Sequence, residues 1–403
     1  MGNINSESIK PINVLVIPAW FSHKDKNAGV FINEFCEQMN SERVNVSLLY
    51  LNFYNLKEVI KYLFEKKPEF NYSYAVIVSN LINLKSKLLF FLGTSFILDF
   101  YFKKVLNEIK SGDKKFDLIH IQSLCNNITP YIAKRLSKEL KLPYVITEHY
   151  TSYDLSKGQV FKPYLGEEFV IEVAKKADRR IAVSNYASAM FSKYFNCRFE
   201  VISNIINEQF FNSANNINKS EKFTFICIGK LDARKGSMEV LKAFCKFNKE
   251  YINSKLELIG SGTLEEEIKA FIQSDNLENN VSVHTWLEKK EIIALMDSSH
   301  VLISASELET FGLTIAEAHL RGLPVIATKS GGPEELIDRR NGLLIDLENK
   351  ESNLCYAMHI IYKNYSEFDS SMIKKEAQVR FDKNKILNSY YTIYNDCKNK
   401  LLN

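Results

Sequence analysis

Residues 301–337, VLISASELETFGLTIAEAHLRGLPVIATKSGGPEELI, decide the fold. Val301-Leu302-Ile303 is a short apolar run, the pattern of a parallel strand buried on both faces. Residues 304–312 then leave the core. Residues 313–320 have helical spacing, with Leu313, Ile315, Ala316 and Leu320 expected to face inward and Gly322 as the stop. Pro324-Val325-Ile326-Ala327 reads as the next strand, and Ser330-Gly331-Gly332 as a tight turn before another helix. Strand, loop, helix, strand is the repeat of a parallel α/β sheet, whose ligands sit outside the carboxyl ends of the strands.

Two glutamates stand at that end of the sheet. Glu309 lies in the loop before the helix, and Glu317 about two turns later by simple helical counting. Between them, Thr310-Phe311-Gly312 leads into a helix start, where unpaired backbone N–H groups attract an anion such as a phosphate. A carboxylate beside such a start is badly placed to bind phosphate but well placed to accept hydrogen bonds from sugar hydroxyls. A ligand with both groups, such as a nucleotide sugar, meets both demands. A second strand end repeats this chemistry: the apolar run 223–229 is followed by Gly229-Lys230-Leu231-Asp232-Ala233-Arg234-Lys235-Gly236 and a helix. Three cations and two glycines at a helix start make a diphosphate site.

The Glu309-x7-Glu317 spacing, with Phe311-Gly312 inside it, resembles the donor-binding motif of retaining glycosyltransferases with the GT-B fold, of the family 4 type. The Gly-Leu-Pro-Val-Ile-Ala strand and the Ser-Gly-Gly-x-Glu-Glu turn extend the likeness. It is specific over 223–346 and loose before 200. The resemblance implies an α/β protein, with two Rossmann-like domains facing across a cleft and a C-terminal helix crossing back to the N-terminal domain. The expected boundaries are 1–205 for an acceptor domain, 206–222 for a linker, 223–382 for the nucleotide-sugar donor domain and 383–403 for the returning helix. Residues 212–222 fit the linker because they are polar and non-periodic.

The same resemblance implies site residues. Lys230 and Lys235 would grip the donor diphosphate next to Gly229. Lys230 stands where the family usually has Arg, keeping charge without the bidentate fork. Glu309 would hold the donor-sugar hydroxyls and Glu317 the ribose, with the amides of Phe311, Gly312 and Leu313 assisting. His149, after the strand at 143–147, would touch the donor sugar. Gly29 is a loose match to the family's glycine-rich first loop. Trp286, beyond the strand at 280–284, either stacks on a base or fills the wall between domains. Glu309, Lys235 and His149 form the expected catalytic set. The implied reaction is transfer from a nucleotide diphosphate sugar to an acceptor hydroxyl with retention. No carboxylate is placed as a covalent nucleophile, so same-face attack is expected, with the leaving phosphate oxygen taking the proton. An Asp-x-Asp triplet is absent, and no metal or other cofactor is expected. A nucleotide-sugar epimerase of the same fold and a non-catalytic sugar-nucleotide-binding subunit are the alternatives. A glycosidase would need its paired carboxylates but not the lysine-rich loop.

Bulk properties agree with a soluble two-domain enzyme. The chain has 403 residues, with 46% hydrophobic and 25% charged residues and a net charge of +4, too small to argue for nucleic acid. Its seven scattered cysteines lack metal-ligand spacing and suggest a reducing compartment. The leader MGNINSESIKP has no apolar core of a signal peptide, and its Met1-Gly2…Ser6 fits a myristoylation pattern only weakly. The first half reads as strands at 12–18, 44–49, 116–121, 143–147 and 199–203, with residues 56–112 less regular. Residues 87–104, KLLFFLGTSFILDFYFKK, are aromatic and lysine-flanked. They are too short an apolar run to span a membrane, and read either as a buried helix or as a peripheral contact with an anionic membrane surface. The expected location is cytoplasmic, free or on the inner face of the cell membrane. The expected acceptor is a glycan or lipid-linked glycan of bacterial surface polysaccharide synthesis, by family analogy.

Overall fold

The computed structural model describes residues 10–19, 30–54, 75–82, 94–125, 128–151, 153, 166–212 and 219–400. By contacts the chain divides into two compact units. One holds Met1–Val183, Ser188–Ile205 and Ile386–Asn403, the other Ser184–Ala187 and Ile206–Lys385.

The first unit begins with β1 (Ile12–Pro18), buried along nearly its whole length. Then come α1 (Val30–Met39), β2 (Val44–Tyr54), β3 (Ala75–Ile82), α2 (Thr94–Ser111), β4 (Leu118–Gln122) and α3 (Ile128–Leu140). β5 (Tyr144–Glu148), α4 (Glu167–Lys176), β6 (Arg179–Ala182), α5 (Asn185–Phe195) and β7 (Glu200–Val201) complete the series. The strands form one sheet in the order β3-β2-β1-β4-β5-β6-β7, all pairs parallel. Sequence order reverses between β1 and β4, the switch point at which open α/β sheets leave a crevice.

Several elements differ from the sequence expectation. β2 runs on to Tyr54, and β3 occupies a stretch expected to be irregular. β4 starts at Leu118, because Asp117 is used outside the ladder: its carboxylate accepts the Asn13 N–H at 2.8 Å. The strand expected at 199–203 is only Glu200–Val201. Of residues 87–104, positions 87–93 lie outside the described residues. The remainder opens α2, with Leu98, Tyr101 and Phe102 buried and Phe100 outward. Among the described residues no helix is long and apolar enough to cross a membrane.

The second unit repeats the pattern. Its elements are β8 (Phe223–Ile228), α6 (Ser237–Glu250), β9 (Ser254–Ile259), α7 (Glu265–Ser274), β10 (Val281–His284), α8 (Lys289–Ser298) and β11 (Val301–Ser304). They continue with α9 (Leu313–Leu320), β12 (Val325–Thr328), α10 (Pro333–Leu336), β13 (Gly342–Ile345), α11 (Lys350–Lys363) and α12 (Ser370–Arg380). The sheet order is β10-β9-β8-β11-β12-β13, parallel throughout, with the reversal between β8 and β11. Phe244 and Phe247 of α6 and Leu354, Met358 and Ile361 of α11 share one apolar core with Phe225, Leu256 and Leu258 of the strands. Beneath α9, Arg321 makes a buried fork with Asp297, at 2.7 and 2.6 Å, and reaches the carbonyl of Phe210 at 3.2 Å. That arrangement uses a planar guanidinium as a rigid brace.

The last helix, α13 (Lys383–Asn399), places Ile386, Tyr390, Ile393, Tyr394 and Cys397 in the core of the first unit, against Val14, Val16, Phe35 and Leu118.

Candidate active site

In the second unit, the loops leaving β8 and β11 flank the switch point, and the structure brings their charged residues together. The β8 loop is held from below by β9: the Leu231 N–H donates to the Ser261 carbonyl at 3.1 Å and the Leu264 N–H to that of Leu231 at 2.9 Å. The approach is so close that a Cβ on Gly260 would lie 1.8 Å from the Gly229 carbonyl oxygen. Residues Ala233–Lys235 make a single 3-10 turn capped by Asp232, whose Oδ1 accepts the Lys235 N–H at 2.9 Å. Gly236 then adopts a left-handed conformation, φ 67°, and sits against the β11 loop, where a Cβ would be 2.4 Å from the Ala305 carbonyl oxygen. This pinned turn aims Lys235, and its Nζ lies 2.7 Å from Glu309 Oε2.

Glu309 is fixed from the other side. Its N–H donates to the Ser330 carbonyl at 2.9 Å, and its carbonyl accepts from Gly332 at 2.7 Å. The Ser330-Gly331-Gly332 turn therefore lies directly on the 309–311 backbone, and a Cβ on Gly332 would be 2.6 Å from Phe311. Glu334 Oε2 accepts the Gly331 N–H at 2.8 Å and holds the turn. Gly312, at φ 95°, turns the chain into α9. Among the described residues, no acceptor meets the amides of Phe311, Gly312 or Leu313, so three N–H dipoles open the helix beside Glu309 and Lys235. The Phe311 ring is buried, 6.0 Å from that of Phe381, and only its backbone serves the site. Leu313 is half-buried rather than inward-facing, because it is the first residue of α9. Ala318 and His319 are buried in addition to Ile315, Ala316 and Leu320. Glu317 is partly exposed and one turn into α9 rather than two turns beyond Glu309, since the intervening residues 310–312 are not helical.

The other expected residues of this unit are less tightly defined. Lys230 is exposed and makes no ion pair among the described residues. Trp286 is 44% exposed and follows β10, the edge strand of the sheet. Just before it, His284 Nε2 lies 2.9 Å from Glu257 Oε2, and Lys255 pairs with the same carboxylate at 2.6 Å.

In the first unit, His149 directly follows β5, with its Nε2 2.8 Å from Gln122 Oε1 at the end of β4. Burial lowers the His149 pKa to about 3, so the ring is neutral. Beside it, Glu148 is fully buried. Its oxygens accept the Ser123 hydroxyl at 2.5 Å and the amides of Leu124, His149 and Tyr150 at 2.7, 2.8 and 2.9 Å. Burial pushes its pKa up, while these donors oppose the shift. The carboxylate thus ties the β4 turn to the loop that carries His149. His120 is a satisfied core residue, 2.6 Å from the Tyr394 hydroxyl and 2.8 Å from that of Thr147. Gly29 lies outside the described residues.

Sequence reading missed Asp232, Glu334 and Gln122. Asp232 had a local signal, an Asp three residues before Lys235 at a helix start. Glu334 was inside a motif but without assigned work. Gln122 had no signal of its own.

Among the described residues, no three His, Cys, Asp or Glu side chains are grouped as a metal would require. The site instead combines cations, helix-start amides and carboxylates, the chemistry of a phosphate joined to a sugar.

Comparison with known proteins agrees in class. The model of Glycosyltransferase Family 4 matches residues 28–210, and that of Glycosyl transferases group 1 matches residues 208–378. The chain belongs to the GT-B glycosyltransferases of the family 4 type. A glycosyltransferase of Methanocaldococcus jannaschii is 27% identical over 278 residues, 68% of this chain and 72% of its own. A 41.2 kDa protein in the cps region of Klebsiella pneumoniae is 27% identical over 295 residues, 70% of this chain and 79% of its own. In structure, Anabaena HepE, determined in complex with UDP and glucose, superposes with a TM-score of 0.72. Its identity is 17%, covering 96% of this chain and 100% of HepE. At that identity the likeness speaks for the fold.

Proposed function

We propose that this glycosyltransferase takes a sugar from a nucleotide diphosphate sugar and passes it, with retention, to an acceptor hydroxyl. The observation that carries the reading is the 2.7 Å contact of Lys235 with Glu309 beside the amides of Phe311, Gly312 and Leu313. A cation and three N–H dipoles suit a departing diphosphate, and the carboxylate suits sugar hydroxyls. An ammonium has three donors, so Lys235 can keep Glu309 and still meet phosphate oxygens. Lys230 adds charge at the loop mouth, and Glu317 is assigned the ribose. His149 is assigned to the sugar, and Trp286 to the edge of the base site.

In this reading the acceptor oxygen bonds to the anomeric carbon as the bond from that carbon to the phosphate oxygen breaks. The acceptor proton goes to that leaving oxygen, and the nucleoside diphosphate departs. Lys235, Lys230 and the amides neutralise the charge that develops, and no metal is needed. The acceptor is proposed to be a growing surface glycan or its lipid-linked precursor on the inner face of the cell membrane.

The test is acceptor-dependent release of nucleotide across a panel of nucleotide sugars, with and without a chelator, and NMR assignment of the product anomer. Release that ignores acceptor would fit an epimerase or hydrolase and remove the transfer reading. An inverted product, or loss of the rate with chelator, would overturn those parts alone.

A further inference from the structure

We propose that Gln122 is a positioning residue that fixes the plane and tautomer of His149. The inference rests on the transferase reading above for its consequence, but its geometry lies wholly within the first unit. β4 and β5 are neighbours in register, with Gln122 opposite Thr147. Side chains two apart on a strand share a face, so His120 and Gln122 on one strand stand beside Thr147 and His149 of the other. Glu148, between the last two, serves the opposite side and takes the amides of the turn.

On the shared face the polar groups form a buried chain. Tyr394 of α13 bonds His120 Nδ1 at 2.6 Å, and Thr147 bonds His120 Nε2 at 2.8 Å. The Gln122 amide nitrogen lies 3.4 Å from the same His120 nitrogen, which orients Oε1 toward His149 at 2.8 Å. Gln122 is 1% exposed and cannot exchange this arrangement for water. A carboxamide oxygen only accepts, so His149 Nε2 carries the proton and Nδ1 is the acceptor. The Phe31 ring of α1, 4.9 Å from the His149 ring, packs beside it. The titratable groups on the surrounding elements include His120, Tyr390, Tyr394, Glu148, Glu34, Cys36 and Cys125. Burial holds His120 neutral, at about 3, and keeps Tyr390 and Tyr394 protonated.

The consequence is a substrate class. A neutral ring suits a donor sugar that presents a hydroxyl or amide N–H. An imidazolium there would favour a sugar carboxylate. Replacing the carboxamide with a carboxylate of the same shape should convert one preference into the other, since an adjacent anion raises a histidine pKa.

The experiment uses the full chain with 15N-labelled histidine, the His149 signal being assigned with His149→Asn. In the unsubstituted protein a single Nε2–H neutral tautomer is expected from pH 5 to 8. In Gln122→Glu the imidazolium should appear, with its titration shifted upward by at least two pH units. Gln122→Leu should lose the single tautomer and reduce kcat/KM by about tenfold, the scale of one orienting hydrogen bond. A His149 ring that is charged or Nδ1-protonated at pH 7 would overturn the proposal. So would a spectrum unchanged in both variants. The expected spectra with unaltered turnover in Gln122→Leu would end the positioning role and leave the second-unit site standing. Absence of any acceptor-dependent release by the unsubstituted protein would sink the transferase reading, and the ring spectra would still decide what Gln122 does.

Discussion

Lys235 Nζ meets Glu309 Oε2 at 2.7 Å, although 74 residues separate them. They meet because their loops leave β8 and β11, which are neighbours only through the reversal of strand order. Neither side chain is fully buried, at 35% and 20% exposure, so the pair contributes little to stability, about 1 kcal/mol or less. Its position beside the helix start at 311–313, whose amides have no acceptor among the described residues, is what gives it value. Stability and turnover should therefore separate on substitution.

Lys235→Ala should lower turnover by roughly 100- to 1,000-fold, the usual effect of removing one preorganised donor from a developing anion. Its unfolding midpoint should move little. Nucleotide release and thermal melting measure the two. Near-normal release in this variant would remove Lys235 from the chemistry, and a collapsed melt would make it a structural residue instead.

How much of this was legible depends on how local each signal was. Val301–Ser304, Phe223–Ile228 and the Gly-rich loops could be read because apolar runs and glycines carry their meaning in short windows. β3 could not, because Ser79-Asn80 cuts its apolar run to 75–78, and its place at the sheet edge beside β2 is a fact of topology. Periodicity puts Leu313 inward, yet the first residue of a helix has no preceding turn to cover it. Gln122 is silent in sequence because its work depends on β4 lying beside β5, a fact of topology. Asp232 was readable as a cap but was overshadowed by the lysines around it.

Gly236→Ala should destabilise the protein by about 2–4 kcal/mol, combining left-handed strain with a backbone clash. The added Cβ would sit 2.4 Å from the Ala305 carbonyl oxygen, which cannot move without shifting β11. Gly166→Ala is the control: its φ is 86°, but nothing lies within 4 Å of the added Cβ. At φ 86° and ψ 152° that variant carries backbone strain of about 1–3 kcal/mol but no clash, and should lose less than Gly236→Ala. Urea midpoints that match for the two variants would mean that the contact between the β8 and β11 loops is soft.

Arg321→Ala should be among the most damaging single changes in the second unit. Arg321 and Asp297 form a two-bond fork, with side-chain exposures of 1% and 11%. Removing the cation leaves a buried carboxylate without its hydrogen-bonded partner, which costs about 3–5 kcal/mol. Asp297→Asn in the same background should restore part of the loss by neutralising the orphan. Chemical denaturation measures both, and a loss under 1 kcal/mol in Arg321→Ala would show that water reaches the pair.

His319 should make the protein acid-sensitive. It is 3% exposed on α9, its Nε2 has no hydrogen-bond partner, and burial lowers its pKa to about 4. In the unfolded chain a histidine titrates near 6.5. Between those values the unfolded state binds a proton that the folded state refuses, so stability falls as pH drops from about 6.5 to about 4. The slope for this one group is at most about 1.4 kcal/mol per pH unit. His319→Leu removes both the titration and the orphan nitrogen. The Asn341 carbonyl beside it still accepts the Val325 N–H at 3.1 Å. The variant should match the unsubstituted protein at pH 7.5 and exceed it at pH 5, with a flatter dependence of the urea midpoint on pH. His120, in the first unit, keeps its own acid dependence in both proteins. Parallel curves for the two proteins from pH 7.5 to 4.5 would mean that the buried imidazole accepts its proton without opening the fold.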